Sequence, residues 1–352
     1  MKILVVANGF VKAGVSRVLS LLTEQWEQSH DVEVAFFKPV DQTVFPIKAK
    51  IVQQNITLPK CILSQVAHLY ALLKRKEYDI IIGFSEDANY PLSVASRLAS
   101  VAHKTILSVH NTVQTMSPKV LARIRNHYPH VKKVVAVSEG VKDGLIRAGV
   151  PAKKVAFAPN PIDLYSIDRL RSKVCAMVRN PTNFIFVAMG RLHNHKGFDL
   201  LIDAFHHAAV DGAQLWIIGE GAERKNLQNQ INSLELTNSV FLLGVQDNPF
   251  PTIEEADVFV FSSRFEGWGL ALAEAMACEK PCIAFNCPNG PGEMIEHNLS
   301  GVLVECQDVE GLSYEMKELS GDSALRERFS RNARNRIEKF DVQKVATKWL
   351  EV

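Results

Sequence analysis

Two carboxylates eight positions apart, Glu266 and Glu274, frame a turn in the stretch FVFSSRFEGWGLALAEAMA that runs from Phe259 to Ala277. The apolar run VFVF with two serines behind it reads as a buried strand, and LALAEAMA as a helix. Between them lie Gly267, Trp268, Gly269 and Leu270, and the two glycines let the backbone come close to a ligand. The unpaired amides that open the helix face this turn, and their partial positive charge suits a diphosphate. Glu274, about one helical turn further in, stands where a carboxylate accepts hydrogen bonds from sugar or ribose hydroxyls. The plainer alternative makes Glu266 a turn cap and Glu274 part of a solvated helix face.

Cations come from AMGRLHNHKGFDLL, where a strand ends at Gly190 and Arg191 and Lys196 emerge on the loop before the next helix. Two fixed cations neutralise a leaving diphosphate without a metal, and they act most strongly as charge grows on the departing oxygen. His193 and His195 of that loop receive no role. Downstream, CEKPCIAFNCPNGPGEMIEHNLSGVLVE adds a strand, a Gly/Pro-rich loop and a helix start at Glu293. In the first half, Gly9 and Gly14 of NGFVKAGVSRVL bracket a loop that opens onto a helix, with Lys12 as a neighbouring cation. This loop is not the G-x-G-x-x-G fingerprint. SVHNT puts His110 and Asn111 at the carboxyl end of a strand, FAPNPID holds Asn160 and Asp163, and Ser138 reads as an N-cap.

These residues need two sheets to hold them. Strand-like and helical runs alternate from KILVVA to KVAFAPN, then restart with NFIFVAMGRL after a charged, irregular stretch from Asp163 to Thr182. That is the grammar of parallel sheets covered on both faces, and 352 residues suit two such domains. The expected fold class is α/β, with two Rossmann-like, doubly wound domains facing a central cleft and strand ends lining it. The 47% hydrophobic content fits a globular chain, and no apolar run of about 18 residues occurs. The opening MKILVVANGF reads as a strand and a glycine loop rather than a cleaved leader, so a cytoplasmic place is expected. Six cysteines lack a framework spacing; Cys278, Cys282, Cys287 and His297 read as buried thiols and a lone histidine rather than a metal site.

The net charge of +2 divides unevenly. Residues 1–150 hold 19 Lys/Arg against 11 Asp/Glu, so that part carries +8 and the remainder −6. Much of the excess lies in SPKVLARIRNHYPHVKK, with Lys119, Arg123, Arg125, Lys132 and Lys133 around an amphipathic segment. An anionic membrane surface or a phosphate-bearing acceptor is one reading of it, and an ordinary solvated helix the other. Nucleic acid is not expected, because no recognition motif or basic aromatic platform accompanies the charge.

The two glutamates with their glycine turn, together with the loop and helix start that follow, resemble the E-x7-E signature of the retaining glycosyltransferases of family 4, which have the GT-B fold and use nucleotide sugars. The resemblance is strong over residues 184–305 and loose before residue 100. It implies that Arg191 and Lys196 contact the diphosphate, Glu274 the ribose and Glu266 the transferred sugar beside the reacting carbon. It further implies a sugar contact for His110, a loop at Gly14 reaching over the phosphates, Asn160 and Glu293 lining the cleft, and main-chain contact to the base around Leu243 and Val245. The implied domains are 1–165, acceptor-side and completed by a terminal helix at about 335–352, and 166–334 for the donor. Asn289 to Gly292 depart from the commonest family form and resemble a subgroup rich in bacterial surface-polysaccharide and lipid-linked oligosaccharide enzymes, and Ala222 stands where proline is usual. The implied activity moves a hexose or N-acetylhexosamine from a UDP-sugar to a growing glycan, with no metal or other cofactor. A GT-B sugar-nucleotide epimerase and a non-catalytic nucleotide-sugar sensor remain alternatives; a dehydrogenase lacks its fingerprint here.

Overall fold

The computed structural model describes residues 1–10, 14–40, 47–53, 62–175, 179, 180 and 182–352, so Lys12 lies outside the described residues. The chain begins with β1 (Lys2–Ala7), α1 (Gly14–Glu27), β2 (Asp31–Phe36), β3 (Lys50–Gln53), α2 (Ile62–Arg75), β4 (Ile80–Phe84) and α3 (Glu86–Leu98). There follow β5 (Thr105–Val109), α4 (Pro118–His127), β6 (Lys133–Ala136), α5 (Glu139–Arg147), β7 (Val155–Phe157) and α6 (Leu164–Arg171). Next come β8 (Ile185–Met189), α7 (Phe198–Ala208), β9 (Gln214–Ile218), α8 (Arg224–Ser233), β10 (Val240–Gly244), α9 (Phe250–Glu255) and β11 (Val258–Phe261). Last are α10 (Leu270–Ala277), β12 (Cys282–Phe285), α11 (Pro291–Met294), β13 (Val302–Val304), α12 (Val309–Gly321), α13 (Ser323–Ile337) and α14 (Val342–Glu351).

Two compact units result. Unit 1 holds Met1–Ile162 together with Phe340–Val352, and unit 2 holds Asp163–Lys339. Among the described residues, unit 1 has one sheet in the order β3-β2-β1-β4-β5-β6-β7, and unit 2 one in the order β10-β9-β8-β11-β12-β13. Every strand pair is parallel, and the central strands β1, β4, β8 and β11 are almost wholly buried because helices cover both faces. In each sheet the strand order reverses at one place, between β1 and β4 and between β8 and β11. Ligands of doubly wound sheets bind beyond the strand ends at such a switch point.

Helix α14 completes unit 1. Its Val345, Ala346 and Trp349 are buried on one face, Asp341 caps its start by accepting from Gln343 N at 3.0 Å, and Trp349 donates from Nε1 to Pro159 O at 2.9 Å. From α1, Trp26 donates to Ala346 O at 2.9 Å.

Local readings fare unevenly. Ser138 does cap α5, accepting from Val141 N at 3.1 Å. The stretch expected to be irregular after Asp163 instead opens with α6, because the Asp163 carboxylate accepts from Ser166 N at 2.9 Å and Ile167 is buried. Phe84 to Tyr90 is the end of β4 and the first turn of α3, whose acidic Glu86 and Asp87 suit a helix amino end. The basic segment does not present one face. Arg123 stacks over the Tyr90 ring at 4.4 Å, Lys132 donates to Val352 O at 2.9 Å and Lys133 to Lys153 O at 3.1 Å, whereas Lys119 and Arg125 are exposed. No helix among the described residues is long and apolar enough to cross a membrane.

Candidate active site

At the switch point of unit 2 the loops after β8 and β11 meet. Beyond β8, Arg191 is exposed and Lys196 ends a short 3-10 turn that Gly197, at φ 63°, links to α7. A β-carbon at Gly197 would fall 2.1 Å from Ser262 O, so only glycine lets the two loops touch. The Ser262 hydroxyl donates to Lys196 O at 3.0 Å, and Arg264 N donates to His195 O at 2.8 Å. Arg264 also forks onto both Asp199 carboxylate oxygens, at 2.8 and 2.6 Å, which holds that carboxyl below the usual range and braces the β11 loop against α7.

Lys196 and Glu266 form an ion pair here, Nζ to Oε1 at 2.5 Å, with side chains only 16% and 12% exposed. The Ser263 hydroxyl donates to the same Glu266 oxygen at 2.7 Å. A loop from the next strand supports the turn: Asn289 Nδ2 donates to Glu266 O at 3.0 Å. Gly290, at φ 94°, approaches so closely that a β-carbon there would lie 1.7 Å from Trp268 O. Gly269, at φ 104°, turns the chain into α10, inside which Glu274 is 6% exposed and Trp268 is buried just before it. Leu270 opens α10 and is half-buried, as Gly267 is in the turn before it.

The other candidates take these places. Leu243 and Val245 flank the end of β10, Val245 being exposed, and Gly219 N donates to Gly244 O at 2.8 Å across the β9 and β10 ends. Glu293 sits in the first turn of α11, its amide donating to Gly290 O at 2.9 Å. Gly14, His110 and Asn160 belong to unit 1, Gly14 as the first residue of α1. Thus the sheet brings Arg191, Lys196, Glu266, the glycine turn and Glu274 to one carboxyl edge. Sequence reasoning assigned no part to Ser263, Arg264 or Asp199; a hydroxyl three positions before Glu266 was the available signal for the first.

His110 is 6% exposed just past β5, its ring 4.4 Å from that of Phe84 and 6.0 Å from that of Trp349. The Ser108 hydroxyl donates to Gly83 O at 2.9 Å and lies within hydrogen-bond distance, 3.0 Å, of His110 Nε2. Burial pushes the ring down to about 3, against a weaker opposing contact with Asn160, and His110 is therefore neutral. His195, stacked on Phe265 at 5.5 Å, is pushed down to about 4 by burial and then by the Lys196 charge. The Cys278 thiol is buried and pushed up to about 12, and burial raises Cys282 and Cys287 as well, which leaves all three protonated.

Known proteins resemble this chain in sequence and in fold. Residues 13–165 match the model of glycosyltransferase family 4, and residues 176–336 that of glycosyl transferases group 1. An uncharacterized glycosyltransferase of Methanocaldococcus jannaschii is 25% identical over 94% of this chain and 93% of its own length. The UDP-Gal:alpha-D-GlcNAc-diphosphoundecaprenol alpha-1,3-galactosyltransferase of Escherichia coli is 26% identical over 81% of this chain and 76% of its own. The crystal structure of Anabaena HepE in complex with UDP and glucose shares the fold, with a TM-score of 0.85 at 22% identity over 100% of this chain and 98% of that one. With both halves matched and both sheets doubly wound, the chain belongs to glycosyltransferase family 4 and is a glycosyltransferase of the GT-B fold.

Proposed function

We propose that the chain moves a hexose or N-acetylhexosamine from a UDP-sugar to a growing bacterial glycan, such as lipopolysaccharide or a lipid-linked oligosaccharide, with retention at the anomeric carbon. The observation that carries this reading is the Lys196 and Glu266 pair at the unit 2 switch point, a cation and a carboxylate side by side beyond the strand ends. Lys196 and Arg191 serve the diphosphate, Glu274 the ribose, Glu266 the sugar hydroxyls near the reacting carbon, and His110 a further sugar hydroxyl. The E. coli relative is named for a UDP-sugar donor, a lipid diphosphate acceptor and an alpha linkage, and the Anabaena structure holds UDP and glucose; both support this choice of substrates.

In the reaction the bond from the anomeric carbon to the diphosphate oxygen breaks, and its electron pair leaves with UDP. The acceptor hydroxyl adds to the same face, and its proton passes to the departing phosphate oxygen. Charge on that oxygen peaks in the transition state, where Lys196 and Arg191 act most strongly, so no metal is required in this reading. A lipid-borne acceptor would put the reaction at the inner face of the cytoplasmic membrane, with the protein peripheral to it.

The test incubates the protein with UDP-, GDP- and ADP-sugars and a lipid diphosphate acceptor, then reads the product anomer by NMR. Transfer from a UDP-sugar to give the alpha product is expected. A beta product from an alpha-linked donor would overturn retention, and transfer only from GDP- or ADP-sugars would overturn the donor.

A further inference from the structure

The switch point of unit 1, between β1 and β4, also holds a cavity, of about 260 Å³. Its lining brings together Asn8 after β1, Lys38 after β2, Ile62 at the start of α2, Asp87 and Tyr90 on α3, and Arg123 on α4. Each has a place fixed by its surroundings. The Lys38 amide donates to Asn8 O at 2.8 Å, and its stem crosses the bare α-carbon of Gly9, where a β-carbon would lie 3.2 Å from Lys38 Cβ. The Arg123 guanidinium is held over the Tyr90 ring at 4.4 Å, and His127 packs edge-on against that ring at 4.9 Å. Asn8 Nδ2 donates to Asp87 Oδ2 at 2.9 Å, tying β1 to α3 across the reversal. The neighbouring Glu86 is turned away, accepting from Asn111 Nδ2 at 2.6 Å.

We infer that this cavity is the acceptor's diphosphate subsite: Lys38 and Arg123 take the phosphate charge, while Asp87 accepts a hydroxyl of the adjoining sugar. Two cations against one carboxylate leave the cavity with a net positive charge, which suits an anion that carries a polyol. A flat guanidinium pre-set on an aromatic ring meets phosphate oxygens in a fork without ordering a loose side chain. Ile62 gives the cavity an apolar wall, which fits the first prenyl unit of a lipid carrier. This inference rests on the proposed transfer reaction and adds the feature by which the acceptor is chosen. It also separates Arg123 from the exposed basic residues of its segment and gives it a task of its own.

The experiment measures binding by calorimetry, with UDP saturating the donor site, of two probes: inorganic pyrophosphate and citronellyl diphosphate. Wild type should bind at least one of them, and Lys38→Ala and Arg123→Gln should each weaken it about tenfold or more, as loss of one charge-assisted contact does. Equal affinity for the two probes would assign the site to diphosphate as such, whereas a clear preference for the prenyl compound would assign it to a lipid-borne acceptor. Lys38 is exposed, so its variant folds even where replacing Arg123 disturbs α3 and α4. Wild type that binds neither probe, or variants that bind as wild type does, would overturn the inference. UDP affinity is recorded in the same titrations; failure of wild type to bind UDP would strike the proposed function instead.

Discussion

The pairing of Lys196 with Glu266 makes opposite demands on the two glutamates, and substitution by glutamine separates them. Glu266→Gln removes the carboxylate that holds Lys196 at 2.5 Å. Recruiting that lysine to a diphosphate means loosening a charge-assisted contact of about 1.5–3 kcal/mol, so the variant should bind UDP as well as wild type or up to about tenfold more tightly. Its kcat should nevertheless fall about 10²–10³-fold, the usual loss for one polar group that stabilises the transition state. Glu274→Gln, at a position 6% exposed, should weaken UDP itself about 10–100-fold, since a neutral amide accepts ribose hydroxyls less strongly than a carboxylate. Calorimetry with UDP and initial rates with the intact donor, run on both variants, decide the matter. Equal losses of UDP affinity would refute the division of labour, and so would a Glu266→Gln enzyme with unchanged kcat.

Turnover should survive EDTA; activity lost on chelation and restored by Mg2+ or Mn2+ would remove Arg191 and Lys196 from their assigned task. His110 is pushed down to about 3 when folded against 6.5 when unfolded, so it stabilises above pH 6.5 and that contribution drains as pH falls toward 3. Between pH 6.5 and 4 the loss should be about 3 kcal/mol, and urea unfolding of His110→Phe should lack this part of the acid sensitivity. Gly290→Ala should cost about 2–4 kcal/mol and weaken UDP, while Gly212→Ala, at φ 67° with open space around it, should cost about 1 kcal/mol in thermal melts. Cosedimentation with anionic vesicles should decline from low to physiological salt, and reversing the exposed Lys119 and Arg125 should reduce it; unchanged binding would leave that surface without a membrane role.

What the sequence discloses follows from the range of the interactions. Gly267, Gly269, Arg191 and Lys196 were legible because each follows a predicted strand directly, and a parallel sheet sends every such loop to the same edge. The contact between Lys196 and Glu266 was not, because 70 residues separate them and only the strand order makes β8 and β11 neighbours. For the same reason Arg123 read as one more surface charge, although the fold lays it on Tyr90. His110 read as a strand-end polar residue, whereas its burial depends on Phe84 from β4 and Trp349 from α14. Helix α6 was hidden by its charges. Asp168, Arg169 and Arg171 masked a short apolar period, yet Asp168 pairs with Arg334 at 2.7 Å and Arg171 with Glu279 at 2.9 Å inside unit 2.

Because α14 belongs to unit 1, synthesis and folding run out of step. As the ribosome delivers the chain, β1 to β7 emerge first, but the helix that packs Trp349 against Phe84 and receives the Trp26 indole comes only after all of unit 2 has been made. Unit 2 is one unbroken stretch and holds every strand of its own sheet by Lys339. The later-made half is therefore the first able to reach its finished state, and the earlier-made half waits with an apolar face uncovered. A nascent chain halted before Val342 would present a finished unit 2 tethered to an unfinished unit 1, the form on which chaperones and proteases would act.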